Sequence, residues 1–189
     1  MATPKETALF AGMRLSLCGL LSAAAFLVAG ALAPAVSSRA LPGNDSPGRL
    51  DSPESQMLYL TNQDRTAREN WEETQGRAHP LQWDDRLAAV ARAHSEDMAR
   101  QGYLTHTGSD GSMPFQRVSY MGIQWLSTGE NVARARDTAE AEALFMDEPK
   151  FQQNHRANIL NPNYTIVGIG VARDSEGALY ITEEFAQLR

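Results

Sequence analysis

"YTIVGIGVARDSEGALYITEEFA", running from Tyr164 to Ala186, decides the fold. Two runs rich in β-branched and aromatic residues flank "DSEG", a turn sequence, and this pattern predicts a β-hairpin. "GIGVAR" carries two glycines of a dinucleotide-binding loop but lacks the third. It also lies inside a strand rather than ahead of a helix, so it is not a phosphate cradle. Just upstream, "NHRANILNP" from Asn154 to Pro162 places a histidine and an arginine at the start of a short apolar turn that Pro162 ends. Tyr164 then begins the central strand.

Working back toward the N-terminus, the period changes from two to about 3.6. Met57, Leu58, Leu60, Thr61 and Arg65 fall at helical spacing, predicting a helix from Ser55 to about Glu73. A second helix follows "HPLQW". Asp84 or Asp85 caps it, Leu87, Val90, Ala91, His94 and Met98 share one face, and Gly102 stops it. Pro114 to Tyr120 suits a short helix with proline in its first turn. Asp137 caps a further helix, which Pro149 ends. Helices first and strands last predict an α+β domain with a sheet sandwiched between helices.

The chain has 189 residues. Lys5 and Arg14 precede an uncharged run from Leu15 to Val36, the layout of an export signal. "SRA" at Ser38–Ala40 fits the cleavage rule better than "ALA" at Ala31–Ala33, which Pro34 would follow directly. The run is also nearly long enough to serve as an uncleaved anchor. Residues 1–40 are therefore expected to be a signal peptide or an N-terminal anchor, 41–53 a Pro/Gly/Ser-rich linker, and 54–189 the folded domain. Either way that domain is exported, to the extracellular space or the cell envelope. The one cysteine, Cys18, lies inside the apolar run, so the domain has no disulfide and must stand on its core. Setting aside Lys5, Glu6, Arg14 and Arg39 leaves 14 basic and 22 acidic residues from Leu41 onward, a formal charge of −8. A surface this acidic, without a basic stripe, argues against nucleic acid and against anionic membranes.

Four histidines stand in the domain. His79 precedes Pro80 in a loop and reads as a surface residue, and His94 reads as a core histidine hydrogen-bonded through one ring nitrogen. His106 differs, because Gly108, Asp110 and Gly111 make "LTHTGSDGS" a tight turn that presents a side chain. Glu130, between Gly129 and Asn131 at the start of an apparent strand, has no packing rationale. Glu148 sits at the end of a helix, where the dipole disfavours negative charge, and His155 follows seven residues later. Two imidazoles and two carboxylates in turns or at element ends have the composition of a divalent-metal site or an acid/base cluster. Neither an HExxH nor a GxSxG pattern is present, nor a nucleophilic cysteine in the domain.

"PLQWDDRLAAVARAHSEDMARQGYLTHTGSDG", "GENVA", "FMDEPKF", "HRANIL" and "VGIGVA" occur in the order found in the CAP superfamily of cysteine-rich secretory, antigen 5 and pathogenesis-related 1 proteins. The chain most resembles its bacterial secreted, SCP-like branch, over roughly Leu58 to Phe185. The resemblance implies a three-layer α-β-α sandwich and a cleft of two histidines and two acids: His106, Glu130, Glu148 and His155. It implies a binding module more than a catalyst. The cleft would hold a divalent cation such as zinc on His106, His155 and Glu130, without an organic cofactor, beside a lipid, glycan or protein partner. The alternative is a metal-assisted hydrolase of peptidase or esterase type, with Glu130 or Glu148 as general base. Phe145 stands where the family usually has tryptophan, and Glu148, the acid most often missing from bacterial members, is expected to matter less than Glu130.

Overall fold

The computed structural model describes residues 52–189. The export segment and most of the linker lie outside the described residues. Within the described part the three-layer sandwich is present. Helix α1 (Pro53–Thr66) is followed by a 3-10 turn (Arg68–Asn70) and the short α2 (Trp71–Thr74). Strand β1 (Gln82–Trp83), helices α3 (Asp85–Gln101) and α4 (Pro114–Tyr120), and strand β2 (Trp125–Ala135) come next. Helices α5 (Thr138–Met146) and α6 (His155–Leu160) precede the hairpin of β3 (Ile166–Arg173) and β4 (Leu179–Leu188). No helix among the described residues is long and apolar enough to cross a membrane.

The sheet order is β1-β3-β4-β2, with β1 parallel to β3 and the other neighbours antiparallel. Alternation along the strands sends residues to two separate cores. Val167, Ile169, Ile181 and Phe185 pack with Met57, Phe145, Ile159 and Leu160 of α1, α5 and α6. Ile166 and Ala186 pack on the opposite face with Leu87 of α3 and Val118 of α4, while Val132 and Tyr180 meet Met98. Helix α3 lies close on β3 because Gly168 and Gly170 face it. A Cβ at either position would run into helix backbone, at Ala88 and Arg92 respectively. Ser95 fixes the contact, donating 2.9 Å to the Gly170 carbonyl.

The caps follow the sequence reading. Asp84, rather than Asp85, caps α3 by accepting from Arg86 N at 2.9 Å, and Gly102 ends it at φ 76°. Asp137 caps α5 by accepting from Glu140 N. Five local readings change. The first helix begins at Pro53, with Ser52 as its cap, so the linker ends earlier than its composition suggests. It also does not continue to Glu73. Ala67 is extended (φ −66°, ψ 139°), and the Asn70 side chain donates 2.8 Å to the Asp64 carbonyl, taking an acceptor a continuing helix would use. Glu130 lies in the middle of β2 rather than at its start. Tyr164 precedes β3, its amide bonded back to the Asn161 carbonyl, and the "turn" after Asn154 is the one-and-a-half-turn helix α6.

Candidate functional site

The triplet Gly129–Glu130–Asn131 in β2, the outermost strand on its side of the sheet, organises the site. Gly129 leaves room for α6: a Cβ there would sit 2.7 Å from both Asn158 Oδ1 and the Tyr164 hydroxyl. Glu130 and Asn131 then point to opposite faces, as strand alternation requires. Glu130 faces the α3–α4 layer, where its Oε1 accepts from His106 Nδ1 at 2.7 Å. Asn131 faces the other layer and donates 3.2 Å to the His155 carbonyl, while Asn158 Nδ2 bonds both Asn131 Oδ1 at 2.9 Å and the Glu130 carbonyl.

His155 opens α6, which Asn154 caps by accepting from Ala157 N. Glu148 lies beyond the end of α5, so the unfavourable dipole expected for it does not apply. Its carboxylate instead meets the start of α6, where negative charge is favoured. Oε2 accepts from His155 N at 2.7 Å, and Oε1 accepts from His155 Nδ1 at 2.8 Å. The His155 ring rests against Phe145, 5.1 Å between centroids, in the place where a tryptophan was expected from the resemblance. The two imidazoles, one from each side of the sheet, come together at 6.2 Å between centroids. All four residues singled out from sequence therefore meet, as two His–Glu pairs.

The pairs are alike in chemistry. A carboxylate accepting at Nδ1 requires the proton on that nitrogen, which leaves the Nε2 lone pair of the neutral ring unused. His106 is half exposed and His155 less so, at 50 % and 29 % of side-chain surface. The hydrogen bond to Glu130 raises the pKa of His106 above the usual imidazole value, outweighing its partial burial. Both Glu130 oxygens are committed, one to His106 and the other to Arg117 of α4. Burial pushes the Glu130 carboxyl upward, but the hydrogen bonds from His106 and Glu184, with the charge of Arg117, outweigh it and hold it below the usual range. Among the described residues no three His, Cys, Asp or Glu side chains gather as a ligand set. Glu130 thus stands behind His106, bonded to Nδ1 and on the far side of the ring from Nε2.

His94 is a core residue. It is 2 % exposed, burial lowers its pKa, and its Nε2 donates 2.8 Å to the Thr105 carbonyl, supporting the loop next to His106. Sequence reasoning missed the acids behind the site. Glu183 and Glu184 in "TEEFA" of β4 are both fully buried. Glu184 lies opposite Glu130 in the register. Glu183 accepts from Thr61 at 2.7 Å and from Asn131 at 3.0 Å, and Thr61 also bonds the buried Glu142 of α5. Burial, and then Glu183, push Glu142 up to about 10, while burial pushes Glu183 up to about 7. His79 contributes only its carbonyl, to Arg65, whose buried guanidinium also holds the Ile159, Asn161 and Tyr164 carbonyls around the end of α6. Arg156 pairs with Glu73 at 2.7 Å.

A three-layer sandwich carrying two facing His–Glu pairs at an outer strand defines the class. Residues 58–185 match the model of the cysteine-rich secretory protein family, CAP, and the chain belongs to that family. It is 33 % identical over 139 residues to the uncharacterized protein YkwD of Bacillus subtilis, covering 73 % of this chain and 49 % of that one. The chain thus spans about half the length of this curated relative. An extracellular protein of Bacillus anthracis that contains an SCP domain superposes with a TM-score of 0.58 at 27 % identity, over 71 % of this chain and 40 % of that one. An outer surface protein of Borrelia burgdorferi shares the fold alone, with a TM-score of 0.59 at 17 % identity over 73 % and 96 % of the respective chains.

Proposed function

We propose that this is an exported binding module whose site holds a divalent cation, zinc or a first-row neighbour, through Nε2 of His106 and His155. The observation that carries this reading is the pairing itself. Each Nδ1 is bonded to a carboxylate, which fixes the tautomer and aims the other nitrogen outward, the arrangement that commonly stands behind a metal-bound histidine. The donor set suits the ion in type, since imidazole is a favoured zinc ligand, but two protein ligands make a weak to moderate site completed by water or a partner's group. A bound cation would supply charge for an anionic or carbonyl group of an extracellular ligand of the lipid, glycan or protein class. Binding is favoured over metal-assisted hydrolysis because the carboxylates such a reaction would need as general base are both engaged by ring nitrogens. Export is supported by the extracellular description of the Bacillus anthracis structural relative.

Calorimetric zinc titration of the wild type, His106→Ala and His155→Ala tests the site. Binding by the wild type and its loss in both variants is expected. Glu130→Gln and Glu148→Gln should each weaken it by roughly 10–100-fold, since they occupy equivalent positions behind their rings. Equal binding by all variants would remove the histidines from any site. A peptide and ester hydrolysis screen on the same samples decides against the module if zinc-dependent turnover appears and is lost with either histidine.

A further inference from the structure

We propose that Arg117 is the positioning residue of His106, a single guanidinium that closes both ends of the 106–112 loop and holds the carboxylate behind the ring. This rests on the reading of His106 as a ligand but concerns how the ring is aimed. Arg117 comes from α4 and is only 12 % exposed. Its Nη1 donates to the His106 carbonyl at 3.1 Å and to the Ser112 carbonyl at 3.0 Å, the first and last ends of the loop. Its Nη2 donates to Glu130 Oε2, opposite the oxygen that His106 Nδ1 takes. The ring is therefore tied to Arg117 twice, through its own backbone and through Glu130.

The alternatives to this arrangement are also on the molecule. Glu184 faces Glu130 across β2 and β4 on the same side of the sheet, fully buried. Burial and the neighbouring Glu130 hold Glu184 protonated, so that it shares a hydrogen bond with Glu130, and Arg117 stays 3.8 Å from it while bonding Glu130 directly. The fork thus holds one oxygen of Glu130 and leaves the other to His106. The rest of the loop is held elsewhere. Gly108 N bonds the Ser112 carbonyl at 2.9 Å, and Ser109 bonds Asp97 of α3 through both its amide and its hydroxyl. These contacts shape the loop's interior but do not reach the ring. A lysine in place of Arg117 keeps the charge but, as a point donor, does not reproduce a planar fork spanning two carbonyls and a carboxylate.

The test uses the full chain and three proteins: wild type, Arg117→Lys and Glu184→Gln. Two measurements are made on each, zinc affinity by calorimetry and the ring-nitrogen 15N shifts of His106 and His155 without metal. In Arg117→Lys, zinc affinity is expected to fall roughly 10–100-fold. His106 should change from one Nδ1–H tautomer to a mixture, while His155, held by Glu148, keeps its signature. Glu184→Gln, which removes none of Arg117's hydrogen bonds, should leave both readouts as in the wild type. Wild-type affinity together with an unchanged His106 tautomer in Arg117→Lys overturns the proposal, as does an equally large change in Glu184→Gln. If the wild type fails to bind zinc, the metal reading falls, and the tautomer measurement still judges Arg117. Should Arg117→Lys not fold, Arg117→Lys combined with Glu184→Gln relieves the second buried acid and is judged by the same tautomer result.

Discussion

His94 and His106 are twelve residues apart and have opposite roles, a difference their surroundings set. His94 fills a buried position on α3 and bonds the Thr105 carbonyl, so His94→Ala leaves a gap and an unpaired carbonyl. A loss of about 2 kcal/mol is expected. His106→Ala removes a half-exposed ring and should cost clearly less; chemical denaturation of both variants checks the order, and the reverse order would undo the assignment. The site histidines were legible because glycine-rich turns and the Asn154 break set them off from helical periodicity. The buried partners were not, because a lone arginine in a seven-residue helix and paired glutamates in a strand carry no local signal of what they face. Only the register, which brings Glu184 opposite Glu130, reveals it.

At the scale of elements, α3 and the β3–β4 hairpin were readable from period, caps and turn, and their bounds agree closely with the sequence reading. β1 and most of β2 were not, since "STGEN" is small and polar and β1 is only two residues long. The α3–β3 contact is the tightest joint of the sandwich, and it depends on glycine for space rather than for backbone freedom. Gly168→Ala forces a methyl group into the backbone of α3 at Ala88 and should cost about 3 kcal/mol or more. Gly102→Ala, where φ is 76° but the surroundings are open, should cost about 1 kcal/mol. Thermal melts of the two variants measure the contrast. Similar losses would mean that α3 can shift away from the sheet at little cost.

Across the whole molecule, buried carboxyls shape the response to pH. Burial raises Glu142, Glu183 and Glu184, so above the usual carboxylate range the folded chain holds protons the unfolded chain has released. Stability conferred by the protonated forms is full below about 4.5 and is lost as pH rises toward about 7 for Glu183, and toward about 10 for Glu142. His94, lowered by burial, opposes this below its ordinary value, and His106, raised by Glu130, adds to the loss above it. Urea denaturation should therefore show stability falling between pH 5.5 and 8, at no more than about 1.4 kcal/mol per unit for each group. Glu183→Gln, similar in shape and without the titration, should flatten the curve. A rise across that window in the wild type would show that these carboxyls are ionised when folded.

Chain order and sheet order differ in one place, and this bears on how the polypeptide is made. β4, the last strand in sequence, lies between β3 and β2. As a nascent chain emerges with its N-terminus first, β2 and β3 have no common neighbour to pair with until residues 179–188 are clear of the ribosome or channel. Every antiparallel pairing in the sheet waits for that final strand, and so do the cores on both faces. Until then the helices lack the sheet that packs them, so the domain closes late and as a single unit.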